Sequence, residues 1–396
     1  MRRILALDGG GIRGAFSLQI LARIEELFRQ ERQQPDLVLS DVFDLIAGTS
    51  TGAIIATFLS WGLPVAEIEK LYVEESPVMF SKGSWTQQWR FKYKPEAIAG
   101  FFKSRFVEED GAPALLGTRR LKTLLLIVMR NGSTGSAWPV CNNPAALFND
   151  RDHEECNLDI PLWQLLRAST AAPTYFPPEE IRLGGKTCLF MDGGITPYNN
   201  PALIAVLMAT LPRYHIDWPA NRHALHLTSV GTGLARAKLP GKAAADLNIL
   251  DHVRYIAPAL IGTIAAEQDL LCRVLGDCLH GSVWDTEVGA LEMPSLLNAR
   301  EQKFTYVRYD QPLDESNPKI KNLPGGQARL DDLELIPLLQ ELGKEYAEKH
   351  VRPRHFQPRD GDFETCHCSV TKDEKPVAPK AKANMSAKDD ASTPPF

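Results

Sequence analysis

The first sixty residues spell the same pattern twice, and this repeat restricts the fold more than any other feature of the chain. Residues 3–7 form a largely apolar run that ends in Asp8-Gly9-Gly10-Gly11-Ile12-Arg13-Gly14. Residues 15–29 follow with Phe16, Ile20, Ile24, Leu27 and Phe28 at helical spacing and charged residues between them. A short run without polar alternation is a strand covered on both faces, and the spacing after it is that of an amphipathic helix. Residues 41–49 (DVFDLIAGT) then supply a second strand, Gly48-Thr49-Ser50-Thr51-Gly52 a second glycine turn, and residues 52–61 a second helix. Strand, glycine turn and helix in series predict an α/β fold: a three-layer sandwich whose mostly parallel central sheet carries helices on both faces.

The same reading continues downstream. Residues 121–129, 188–191 and 223–230 read as strands, the last alternating apolar and polar side chains. Residues 162–168 and 201–211 read as helices, as do 244–275 and 331–350, with an irregular stretch between the last two. Residues 256–266 read as a buried helix. From about Gln357 the composition shifts to Lys, Asp, Ala, Ser and Pro without apolar periodicity, which predicts disorder. The expected organisation is one catalytic domain over 1–352, with its motifs in 3–235 and a helical part over 236–352, followed by a disordered polar tail at 353–396.

Composition removes several classes of function. A formal net charge of -5 leaves no basic footprint for a nucleic-acid polymer. The apolar run after Met1 is too short for a secretory signal, and no window approaches the roughly 18 apolar residues of a membrane-spanning helix. The seven cysteines are odd in number and scattered, as expected of reduced thiols in a cytoplasmic chain. Cys366-His367-Cys368 lacks a second ligand pair and does not read as a zinc site.

Three local motifs carry chemistry. Gly48-Thr49-Ser50-Thr51-Gly52 fits G-x-S-x-G, and a strand before it with a helix after it would lift the Ser50 hydroxyl at the carboxyl edge of the sheet. Ser50 could equally cap the helix. The loop at 8–14 satisfies G-x-G-x-x-G, but a dinucleotide site needs an acidic residue closing the second strand. That strand closes on Ser50, whereas Asp36 and Asp41 precede it. The other use of the loop is an oxyanion hole. Gly9, Gly10 and Gly11 can turn backbone N–H groups toward one point, the Thr51 N–H adds a donor, and Arg13 either fixes the loop or neutralises developing charge.

A serine hydroxyl needs a base. None of the nine histidines reads as a triad histidine at a strand end. Asp192 ends the strand at 188–191 and precedes Gly193-Gly194, so it can reach the same edge as Ser50. A capping role in that turn is the alternative.

Taken in order, residues 8–14, 48–52 and 192–194 resemble the patatin-like phospholipase family, with softer matches at 168–177 (ASTAAPTYFP) and 229–233 (SVGTG). The resemblance implies a serine–aspartate dyad of Ser50 as nucleophile and Asp192 as proton acceptor. It implies an oxyanion hole shaped by Gly9, Gly10 and Gly11 beside Arg13, turns at Gly48, Gly52, Gly193 and Gly194, and no metal or organic cofactor. The implied substrate is a membrane phospholipid or other lipid ester. A neutral-lipid lipase, a general carboxylesterase and a catalytically silent lipid-binding protein are the alternatives. Some bacterial members of the family answer to a cyclic dinucleotide, although nothing local here encodes such a site.

Residues 85–106 mix aromatic with basic side chains, including Trp85, Lys92, Lys94 and Lys103. That composition suits either a headgroup boundary, giving peripheral membrane contact, or a packed insertion over the site.

Overall fold

The computed structural model describes residues 1–79, 92–93, 95–233, 247–281, 295–314, 317–321, 323 and 331–357. The chain divides after Pro358 into two units, and all of the described residues belong to the first. The expected tail, with Cys366-His367-Cys368, lies outside the described residues.

Both halves of the N-terminal pattern form as expected. Strand β1 (Arg2–Leu7) leads through the glycine loop into α1 (Gly14–Arg32), and β2 (Leu45–Thr49) leads through Ser50 into α2 (Thr51–Trp61). The second strand is shorter than its apolar run. Its first residue, Asp41, instead closes a single 3₁₀ turn at Leu39–Asp41, where its carboxylate accepts from the Val38 N–H at 3.0 Å. A side chain that bonds its own backbone takes the chain out of the ladder. Next come α3 (Val65–Met79), α4 (Pro95–Arg105), β3 (Leu124–Asn131), β4 (Ser136–Cys141), α5 (Leu162–Ser169), β5 (Glu179–Leu183) and β6 (Lys186–Asp192). The C-terminal part holds α6 (Ala202–Thr210), β7 (Leu225–Val230), α7 (Ile249–Leu275), β8 (Asp277–His280), β9 (Thr305–Tyr309) and α8 (Ile336–His350).

The strands join in one sheet in the order β5-β6-β3-β2-β1-β7-β9-β8, with β4 also paired to β3. The six strands β3, β2, β1, β7, β9 and β8 run parallel, β4 and β6 pair antiparallel to β3, and β5 pairs antiparallel to β6. Side chains alternate between two cores. On β1, Leu5 and Leu7 face a layer that includes Phe16, Ile55 and Leu339, while Ile4 and Ala6 face a layer with Ala205, Cys272 and Tyr306. This is the expected three-layer α/β sandwich.

Three expectations change. The stretch between α7 and α8 is not irregular, because β8 and β9 extend the parallel sheet there, and the part at 236–352 is not purely helical. The strand expected at 223–230 starts later, at Leu225, and its alternating residues are all buried, with His226 and Thr228 inside the protein. The helix containing residues 256–266 is not buried throughout, since Ile256 and Leu260 are more than half exposed. The chain also stays packed through Phe356, whose ring meets Phe28 at 5.2 Å and whose carbonyl accepts from Arg3. The five described cysteines are free thiols, and among the described residues no helix is long and apolar enough to cross a membrane.

Helix α2 crosses β1 closely at Gly52. A Cβ on Gly52 would stand 2.2 Å from the Leu7 carbonyl oxygen and 2.7 Å from that of Asp8. Both are backbone atoms in a buried ladder and cannot rotate away. Gly52→Ala is therefore expected to cost about 2–3 kcal/mol or more of stability by overpacking, read as a lower urea midpoint.

Candidate active site

The sheet brings two distant segments together at the end of β3. Strand β4 pairs along one edge of β3 over residues 126–131, so β2 and β6 must share the other edge. Thr49 lies opposite Val128 and Asp192 opposite Met129, on consecutive residues of β3. The residue after Thr49 is Ser50, and its Oγ donates to Asp192 Oδ2 at 2.7 Å.

Ser50 has φ 54° and ψ -122°, an unfavourable conformation for a residue with a side chain. Its surroundings hold it there. The Ser50 N–H donates to Ser169 Oγ at 3.0 Å, and that hydroxyl donates to the Val128 carbonyl at 2.6 Å. The Thr49 hydroxyl donates to the Tyr198 carbonyl at 2.6 Å. Although Ser50 stands at the start of α2, its side chain makes no capping bond. Of its two sequence-based readings, the capping one is therefore absent from the structure. Asp192 does cap a short turn, its Oδ1 accepting from the Gly194 N–H at 2.7 Å, and its Oδ2 faces Ser50.

Asp192 is 5% exposed. Burial pushes its carboxyl up to about 6, against the opposing pull of the Gly194 N–H, the Ser50 hydroxyl and the nearby Arg167. At pH 7 it remains mostly ionised, yet far more basic than a solvated aspartate. Such a carboxylate can accept a proton from the hydroxyl it already holds.

The glycine loop lines the same cleft as this pair, and each of its three glycine carbonyls is hydrogen-bonded. Gly9 O accepts from the Thr232 hydroxyl at 3.1 Å, Gly10 O from the Arg13 backbone N–H at 3.2 Å and from its Nε at 3.3 Å, and Gly11 O from the Tyr72 hydroxyl at 2.5 Å. In a planar trans peptide the N–H of the next residue points opposite to the carbonyl. Fixing Gly9 O and Gly10 O therefore directs the N–H groups of Gly10 and Gly11. Gly11 opens a 3₁₀ turn and Thr51 opens α2, positions whose N–H groups have no acceptor within their own helix. The Gly9 N–H differs: it donates to the Asn199 carbonyl at 3.1 Å and is already engaged. Arg13 is half-buried, burial pulls its guanidinium down to about 10, and it stays charged.

Around these groups lies a cleft whose walls include Ile54, Tyr72, Ile98, Phe176, Ile195 and Ile261, with Gly9, Gly10, Gly11, Arg13, Ser50, Thr51, Asp192 and Gly194 at its base. Gly48, Gly52 and Gly193 instead serve close packing: a Cβ on Gly48 would meet the Gly52 carbonyl at 2.2 Å, and one on Gly193 the Val128 carbonyl at 2.4 Å. No histidine lines the cleft among the described residues, and none of them form a group of three or more His, Cys, Asp or Glu able to hold a metal ion. The described part of residues 85–106 is a packed insertion. Phe101, Phe102 and Phe106 are core residues, Lys92 pairs with Asp331, and the Lys103 ammonium lies 4.1 Å from the Trp163 ring centre. Trp85 and Lys94 lie outside the described residues.

Several groups that build the site had no assigned role in the sequence reading. Ser169 and Thr232 lie in segments that were matched without a function. Arg308 and Asp310 lie on and just after β9 and left no signal in a stretch read as irregular.

A family model described as "Patatin-like phospholipase" matches residues 5–206. Patatin-like protein 1 of Arabidopsis thaliana is 32% identical over 394 residues, covering 94% of this chain and 87% of that protein. A cGAMP-activated phospholipase of Escherichia coli (strain TW11681) is 27% identical over 236 residues, 58% of this chain and 62% of that one. Calcium-independent phospholipase A2-gamma of Oryctolagus cuniculus is 33% identical over 218 residues, 52% of this chain and 25% of the relative. The chain thus spans less than two thirds of the last two relatives and most of the first. With the family model over half of its length and a plant relative matched nearly end to end, the chain belongs to the patatin-like phospholipase family.

Proposed function

We propose that the protein is a lipid acyl hydrolase that cleaves fatty-acyl esters of phospholipids through an acyl-enzyme on Ser50. The observation that carries this reading is the 2.7 Å hydrogen bond from a strained serine to a buried carboxylate, facing the glycine loop. In the first step Asp192 takes the Ser50 proton as Oγ attacks the ester carbonyl. The tetrahedral oxyanion is held by the N–H groups of Gly10, Gly11 and Thr51, with the Arg13 charge nearby. The alcohol portion leaves with the proton returned from Asp192. Water, deprotonated by the same carboxylate, then releases the fatty acid and restores Ser50.

The mainly apolar cleft supports an acyl chain as the bound group. Beside it, Ile261 faces the cleft while Leu260 and Ile256 on the same helix are exposed, which supports a substrate drawn from a lipid phase. A lipid panel scored for released fatty acid separates a phospholipase from a neutral-lipid lipase or a general carboxylesterase. A fluorophosphonate probe separates all three from a catalytically silent lipid-binding protein. Regulation is decided separately, by assaying hydrolysis with and without cGAMP, the activator named in the E. coli relative.

Ser50→Ala is expected to lower fatty-acid release by at least about 10³-fold and to abolish fluorophosphonate labelling while the melting temperature is kept. Folded Ser50→Ala protein that still hydrolyses esters would overturn the mechanism. The rate is also expected to rise with pH through about 6, as Asp192 loses its proton. Stability should respond in the opposite sense. The folded carboxyl titrates about two units above its ordinary value of 3.8, so ionising it in place costs stability as pH rises from about 4 to 6. Asp192→Asn removes that cost, on the order of 2 kcal/mol. The variant should be inactive yet melt above the wild type at pH 8, with the gap closing near pH 4.

A further inference from the structure

The cleft is only the visible part of the glycine loop's support. Behind the loop, and absent from the cleft wall, lie Asp8, Thr232, Arg308 and Asp310, each no more than 6% exposed. They form a closed circuit. The Arg308 fork is bidentate on Asp8, with Nη1 to Oδ1 at 2.8 Å and Nη2 to Oδ2 at 2.6 Å. The same guanidinium donates from Nη1 to Ser229 Oγ at 2.7 Å and from Nη2 to Asp310 Oδ2 at 2.8 Å. The other Asp310 oxygen accepts from the Gly233 N–H at 2.9 Å. The turn at 231–233 is pinned on both remaining sides, by Gly231 N–H to Tyr309 O at 2.8 Å and by the Ser17 hydroxyl to Gly231 O at 2.7 Å. At its centre the Thr232 hydroxyl donates to Gly9 O, one residue after Asp8.

We infer that Thr232 is a positioning residue for the oxyanion hole, and that Arg308 and Asp310 set its place, so that this hidden circuit decides where the Gly10 N–H points. The inference rests on the acyl-hydrolase reading above. Two features of Thr232 do the aiming. Its hydroxyl holds the Gly9 carbonyl, which turns the Gly10 N–H to the opposite side of the planar peptide. Its side chain also fills the space beside Gly10, where an added Cβ would lie 2.0 Å from Thr232 Oγ1 and 2.8 Å from its Cγ2. The Thr232 side chain thus leaves no room for a side chain at Gly10.

Charge explains why an arginine is placed so deep. A buried ion pair is a weak source of stability, because desolvation offsets most of the attraction. A guanidinium fork does, however, fix direction: one planar group clamps the root of the glycine loop at Asp8 and the root of the Thr232 turn at Asp310. Flanked by both carboxylates, Arg308 is held charged well above its ordinary range. From the cleft side, Arg13 feels the same two carboxylates, which oppose the loss of its charge on burial.

The test compares Thr232→Val, Thr232→Ser and Arg308→Lys in the full chain, using p-nitrophenyl butyrate hydrolysis and fluorophosphonate labelling, with melting temperature as the check on folding. Val keeps the shape and loses the hydroxyl; Ser keeps the hydroxyl. Thr232→Val should lower kcat about ten- to a hundredfold with KM within about twofold, and slow labelling in parallel, as expected for a donor misplaced by a fraction of an ångström to an ångström. Thr232→Ser should stay within about threefold of wild type. Arg308→Lys should follow Thr232→Val. A folded Thr232→Val enzyme with wild-type kcat, a change confined to KM, or an equal loss in Thr232→Ser would each overturn the inference. A Thr232→Val structure with the Gly9–Gly10 peptide unmoved would do the same whatever the activity. Wild-type protein that neither labels nor hydrolyses would instead sink the acyl-hydrolase reading.

Discussion

Strand β3 has one edge to give, and β2 and β6 divide it between them. Strand β4 occupies the opposite edge, so the parallel strand ends where the antiparallel one begins, and the two termini meet at Val128 and Met129. Every further property of the site depends on that junction. It places Ser50 beside Asp192 although 142 positions separate them in the chain. It lets Ser169 bridge the Ser50 N–H and the Val128 carbonyl. It also buries the carboxylate, and so raises its basicity toward the range in which it can accept a hydroxyl proton.

Such a junction stores unfavourable terms. Ser50 is held at positive φ, Asp192 is ionised in a desolvated place, and an arginine with two carboxylates lies behind the glycine loop. Each is tolerated because a large two-sided core surrounds it, in which β1, β2 and β3 are buried between helices. The usual exchange between stability and function is visible here: several groups that cost the fold are arranged around the proposed nucleophile.

The aromatic and basic segment at 85–106 shows how composition and placement can part company. Lysines beside aromatic rings suit a membrane boundary, and the same chemistry suits a packed insertion, where Lys92 finds Asp331 and Lys103 covers Trp163. The exposed apolar side chains near the cleft lie instead on α7, a helix whose apolar run gave no hint of which residues would face outward.

Local order was legible from the residues. Apolar runs closed by glycine turns announced β1, β2 and the helices after them, and the motifs at 8–14, 48–52 and 192–194 pointed to one sheet edge, because period and turn chemistry are properties of neighbouring residues. Strand β9 was not legible: Thr305, Tyr306 and Arg308 fall in a stretch that reads as irregular, and a parallel neighbour on each side orders and buries them. Nor could Arg308 be matched to Asp8, since partners 300 residues apart leave no trace in spacing. The sequence by itself determined the sandwich, the serine elbow and the candidate base. Only the tertiary structure decided which atoms aim the glycine loop, because a carbonyl's direction is set by what packs against it and not by the residue that bears it.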